Sequence, residues 1–152
     1  MRTQSSFDLV VRAPYAETAA LFGPEGERAW AGKQWDPHFI HPQPPRDEED
    51  AVFTIRHGHA DAVWVNALHD LPGRHFKYVY FLDGLLVTTI DVRFTPVDAA
   101  STAVHVVYTR TALKPEGNAH VAQLTAGDQT AGPAWQHSID AYLASRSVVA
   151  PQ

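Results

Sequence analysis

Apolar residues in this chain follow two periods, and the period changes as the chain proceeds. From Ala51 it is two. In AVFTIRH, Phe53, Ile55 and His57 fall on one side and Val52, Thr54 and Arg56 on the other, as neighbours along a strand do. GHAD turns the chain into AVWVNALH, and DLPGR turns it again into HFKYVYFL. A hairpin across DLPGR puts Trp64, Asn66 and Leu68 on one face with Phe76, Tyr78 and Tyr80. LDG then leads into LLVTTIDVRFTPV. There Leu86, Thr88, Ile90, Val92 and Phe94 oppose Val87, Thr89, Asp91 and Arg93, one buried face against one wet face, as in an antiparallel sheet. After VDAAST, Val104, Val106 and Tyr108 alternate with His105, Val107 and Thr109. The pattern predicts a meander of about five strands.

The flanks read differently. SFDLVVR, residues 6–12, predicts a first strand. In PYAETAALFG, Pro14 suits the first turn of a helix, Gly23 its end, and Tyr15, Ala19 and Phe22 fall at helical spacing. PEGERAWAG predicts a second short helix stopped by Gly32. WDPHFIHPQPPR, residues 35–46, is too rich in proline for a helix and reads as a loop carrying large apolar rings. RDEED follows as a solvated charged turn. Beyond KPEG the period becomes helical: Val121, Leu124, Trp135, Ile139, Tyr142 and Leu143 form a stripe reaching Ser145. Gly132-Pro133 predicts a kink there or a division into two helices. SVVAPQ, residues 147–152, reads as a loose tail.

Composition narrows the class. A chain of 152 residues is most simply one domain, here spanning 1–146. Hydrophobic content of 45% with 19% charged residues is that of a globular protein. The formal charge is −5 and Lys and Arg do not cluster, which argues against nucleic acid and anionic membrane surfaces as partners. The absence of cysteine excludes disulfides, thiol nucleophiles and Cys-type zinc sites. MRTQSSFDLVV has no apolar segment of signal-peptide length, and no run reaches the length of a membrane span. The expectation is a soluble cytoplasmic protein, monomer or homodimer.

FDLVVRAPYAETAALF, the Trp35-Asp36-Pro37 segment, AVHVVYTRTAL and WQHSIDAYLAS, taken with the meander, resemble the START and birch-pollen-allergen superfamily, often called SRPBCC. The likeness is to its small bacterial, polyketide cyclase/dehydrase-like or uncharacterised members. It spans nearly the whole chain and includes no catalytic signature. It implies an α+β helix-grip fold: a curved antiparallel sheet of six to seven strands around a long C-terminal helix, with two short helices after the first strand. It also implies an apolar cavity between sheet and helix. Members carry lipids, sterols, polyketides or hormones, and some are cyclases, so the fold leaves function open.

Trp35, Phe39, Phe53, Trp64, Tyr78, Tyr80, Tyr108 and Trp135 are the aromatic candidates to line such a cavity; for each ring taken singly, ordinary core packing is the commoner role. Trp35 and Phe39 fall near the expected mouth. His57, Asn66 and Arg110 are polar residues on otherwise apolar faces and each needs a partner. Arg110 would pair with a ligand carboxylate or, the reading favoured here, snorkel to water from a strand end. His57-x-His59, with His38 or His41, is a weak metal pattern, and no metal or cofactor is assigned from it. Asp91 lies on the wet face and is discarded as an acid–base group. GPEGE has the wrong spacing and no Lys for a phosphate loop, and no Ser sits in G-x-S-x-G. Three readings remain. The first is a carrier or sensor for an apolar small molecule such as a lipid, polyketide or aromatic metabolite. The second is an aromatase/cyclase-type enzyme using Tyr, His and Arg. The third is an interaction protein whose cavity is filled by its own side chains.

Overall fold

The computed structural model describes residues 1–149, with side chains through 146. Strand β1 (Arg2–Val11) is followed by helix α1 (Tyr15–Ala19) and a 3₁₀ turn (Gly26–Ala29). Six strands follow: β2 (His38–His41), β3 (Val52–His57), β4 (Ala60–Asp70), β5 (His75–Leu82), β6 (Leu86–Asp98) and β7 (Ser101–Ala112). Helix α2 (Gly117–Val149) ends the described chain. The strands form one antiparallel sheet in the order β1-β7-β6-β5-β4-β3-β2. This is the helix-grip fold.

The alternation on β6 and β7 places its residues as expected. Leu86, Thr88, Ile90, Val92 and Phe94 are buried, as are Val104 and Val106, while Arg93 and His105 are exposed. On β4 the alternation breaks. Asn66 pairs with Tyr78 but Leu68 pairs with Lys77, so Ala67 is an extra residue and the strand bulges. A one-residue insertion reverses every side chain beyond it. His69, not Leu68, therefore stands opposite Phe76 and stacks on it at 4.2 Å.

Four further expectations are corrected. The proline-rich stretch contains a strand, since His38–His41 pairs with β3; Pro37 and Pro42 bound it instead of preventing it. An edge strand can spare the N–H that proline lacks. The second short helix is only a 3₁₀ turn. Of the kink or division expected at Gly132-Pro133, the division is excluded: helix α2 runs on through Pro133, which stands on its exposed side, where water can take up the freed carbonyl. The helix also passes Ser145 and takes in 147–149, expected as tail; residues 150–152 lie outside the described chain.

Helix α2 runs beside the edge strand β1, and the contacts climb in step. Met1 N donates to Asn118, Thr3 Oγ1 meets Thr125 Oγ1 at 2.7 Å, and Ser5 Oγ donates to Asp128. Phe7 packs on Gly132 and, edge-on, on Trp135. Val10 exchanges both backbone hydrogen bonds with the Gln136 amide, at 2.9 and 2.7 Å. From Thr3 to Phe7 every second strand residue thus meets every third or fourth helix residue, which the two rises per residue allow. Because α2 lies over this border, the space above β4 to β6 is roofed by the 20–35 segment.

Candidate functional site

That roof is built from short polar contacts. Glu27 N donates to Gly23 O at 2.9 Å, and Gly23 N donates back to Glu27 Oε2 at 2.9 Å. The Asp47 carboxylate accepts from Glu25 N and Gly26 N at 2.8 and 2.9 Å, tying the turn to the segment before β3. Gly26 is required there: a Cβ would sit 2.2 Å from the Ala20 carbonyl oxygen. Two indoles hang from the same roof. Trp30 Nε1 donates to Leu21 O at 2.7 Å and Trp35 Nε1 to Pro24 O at 3.0 Å.

Beneath the roof lies a cavity of about 180 Å³. Its wall takes Phe22, Glu27, Trp30, Ala31 and Trp35 from the roof, Trp64 from β4 and Tyr78 from β5. Ile90 and Val92 of β6, Tyr108 of β7, and Trp135 and Ser138 of α2 complete it. The protein's own atoms therefore do not fill this space. Seven aromatic rings face it, and the four indoles support one another in two pairs: Trp30 meets Trp135 at 5.4 Å, and Trp35 meets Trp64 at 5.4 Å, both edge to face. Trp35 and Trp64 also border an outer depression of about 380 Å³ with Ile55 and His57. Trp35 is only half-buried, so it stands as the partition between inside and outside.

Glu27 is the acidic residue of this wall, 8% exposed. Burial pushes its carboxyl up to about 8, and nearby Asp47 adds to this against the Gly23 hydrogen bond. A carboxyl deprived of water holds its proton. Tyr78 and Tyr108 are also pushed upward, chiefly by burial, with Glu27 contributing. The Tyr78 hydroxyl and the Trp64 indole N–H are buried without a protein partner.

The sequence candidates separate into two groups. Trp35, Trp64, Tyr78, Tyr108 and Trp135 meet at the cavity. Phe53 and Tyr80 are buried behind Trp64, stacked on it at 5.7 and 4.5 Å, and Phe39 stacks on Phe53. His57 stacks on Tyr80, and burial lowers its pKa. Among the described residues no three His, Asp or Glu side chains are placed to hold a metal ion. Asn66 donates to Glu48 O at 3.1 Å. Arg110 neither lines this cavity nor snorkels. It is 4% exposed, forks onto both oxygens of Asp128, itself 7% exposed, and lies 4.6 Å from the Tyr108 ring centre.

Glu27, Phe22 and Trp30 escaped the sequence reading. The only signal for Glu27 was an acidic residue in a glycine-flanked turn three positions before a tryptophan.

A helix-grip protein with an aromatic internal cavity and one acid in its wall is the class the geometry defines. No family model matches the sequence, and no curated protein does. Among solved structures the chain is similar to norcoclaurine synthase from Thalictrum flavum, determined with dopamine and hydroxybenzaldehyde: 14% identity, TM-score 0.67, covering 95% of this chain and 88% of that one. It is similar to Ara h 8.0201 at 10% identity and TM-score 0.65, covering 95% and 99%. It also resembles the di-domain ARO/CYC BexL of the BE-7585A biosynthetic pathway, at 15% identity and TM-score 0.65, covering 91% of this chain and 46% of that one. At such identities the likeness is one of fold. No helix among the described residues is long and apolar enough to cross a membrane.

Proposed function

We propose that the chain binds a small molecule built around one ring or a short apolar skeleton, as an intracellular carrier or sensor. The observation that carries this reading is the unfilled cavity whose wall holds seven aromatic rings. A cavity of about 150 Å³ is enough for a benzene ring. Burying about 150 Å² of apolar ligand surface gains roughly 4 kcal/mol before association costs, so apolar burial alone supports a Kd no tighter than about 1 mM, and ring stacking and hydrogen bonds supply anything beyond it. The partition at Trp35 supplies the way in.

A second reading, an acid–base enzyme of the cyclase type, is favoured by Glu27. A carboxyl with a pKa near neutrality beside an unpartnered Tyr78 hydroxyl is suited to proton transfer. His57 and Arg110 have no part in it, since neither lines the cavity.

The test is displacement of a fluorescent apolar probe, with native mass spectrometry of the protein as purified. Binding predicts a retained or displacing small molecule, and faster probe entry in Trp35→Ala, which joins the cavity to the outer depression. A chain that takes up no probe even in Trp35→Ala refutes the reading. Turnover that disappears in Glu27→Gln while probe binding persists favours the enzyme.

A further inference from the structure

All four tryptophans of the chain line this one cavity, and the ionisable groups facing them are Glu27, Tyr78 and Tyr108. The wall contains no Lys, Arg or His. The groups packed around Glu27 bring no positive charge either. Asp47, before β3, is a second carboxylate acting on it, Tyr78 and Tyr108 come from β5 and β7, and α2 contributes Trp135 and Ser138. His69 acts on Asp47, and burial holds it towards its neutral form. Arg110, near Tyr108, is already neutralised by both oxygens of Asp128. A buried carboxylate needs a cation beside it, and without one the carboxyl keeps its proton, as Glu27 does. Here the place for one is the cavity itself, whose remaining wall is mostly aromatic, four indoles, two phenols and Phe22, with Ala31, Ile90, Val92 and Ser138 between them; electron-rich rings attract positive charge.

We propose that the cavity takes a small organic cation, a quaternary or protonated amine, seated against the tryptophan faces with Glu27 as its counter-ion. The inference rests on the ligand-binding reading above and names the class of ligand. It explains why a carboxyl is kept where every other lining group is apolar, hydroxyl-bearing or aromatic. It also couples ligand to proton, because the cation requires Glu27 ionised while the empty cavity keeps it protonated.

Phenyltrimethylammonium and tert-butylbenzene have the same shape and differ in charge, and neither titrates. Tryptophan fluorescence reports both directly, because every indole faces the cavity. With Glu27 near 8 in the empty protein, cation affinity rises about tenfold per pH unit below that value, on the order of a hundredfold from pH 6 to pH 9. tert-Butylbenzene shows no such rise. Glu27→Gln, which keeps an acceptor for the Gly23 N–H, abolishes the pH dependence of cation binding and lowers its affinity at pH 9 at least about tenfold. If tert-butylbenzene binds while the cation does not, or the cation binds with no dependence on pH or Glu27, the inference is overturned and the apolar cavity stands. If neither probe binds at pH 6 or pH 9, both fall together.

Discussion

Converting Glu27 to glutamine should make the protein's stability less sensitive to alkaline pH, by an amount the burial of its carboxyl sets. Folded, the group titrates near 8; unfolded, near the ordinary 4.5. Between those values the folded chain holds a proton that the unfolded chain has lost. Stability from this group is therefore complete below about pH 4.5, declines as pH rises, and is lost above about pH 8. At about 1.4 kcal/mol per pH unit the whole span is worth about 5 kcal/mol, of which about 4 falls between pH 5 and pH 9. Water drawn into the cavity on ionisation reduces this figure. His57 and His69 act in the opposite sense, because burial lowers their pKa values and acid favours their exposure on unfolding. Subtracting the stability of Glu27→Gln from that of the wild type at each pH removes their contribution. Urea unfolding at half-unit steps from pH 5 to pH 9 measures the difference. A steady decline towards high pH, ending near pH 8, is the expected curve. A difference that stays level across the range would show that Glu27 is hydrated in the folded state, and the electrostatics argued for the cavity would be wrong.

Two further predictions concern the supports of the site. Arg110→Met leaves Asp128 buried without its guanidinium and should cost about 3–5 kcal/mol, whereas Arg110→Met with Asp128→Leu should recover most of it; a double-mutant cycle in urea decides. Gly26→Ala forces the 3₁₀ turn away from the Ala20 carbonyl, so a loss of about 1–3 kcal/mol is expected, with altered tryptophan emission as Glu27 and Trp30 shift. Unchanged stability and emission would mean that the turn does not hold the roof in place.

The sheet was legible because its burial is one-sided. Where one face is dry and the other wet, as from Leu86 to Phe94, polarity alone assigns every side chain. Ala67 was not legible, since a bulge adds a residue without changing the polarity of the string. β2 was hidden for another reason: an edge strand needs only four residues, and the prolines beside it dominate the local pattern. The site divides in the same way. Trp64, Tyr78 and Tyr108 could be found because strand alternation points them inward. Glu27 and Trp30 sit in a turn, where direction is set by tertiary contacts such as Asp47 on the Gly26 N–H. Arg110 was assigned the right face and the wrong partner, because Asp128 lies on another element and nothing in the order of residues announces the pair.

The Gln136 amide grasping Val10 has a consequence for how this molecule meets others of its kind. An open sheet has two margins, and each is an invitation to a foreign strand. At one margin the amide imitates the missing neighbour, satisfying Val10 N–H and C=O together. At the other, only four residues between prolines are on offer. Ribbon-to-ribbon joining is discouraged at both ends, so any assembly this protein enters is expected to be built through side chains.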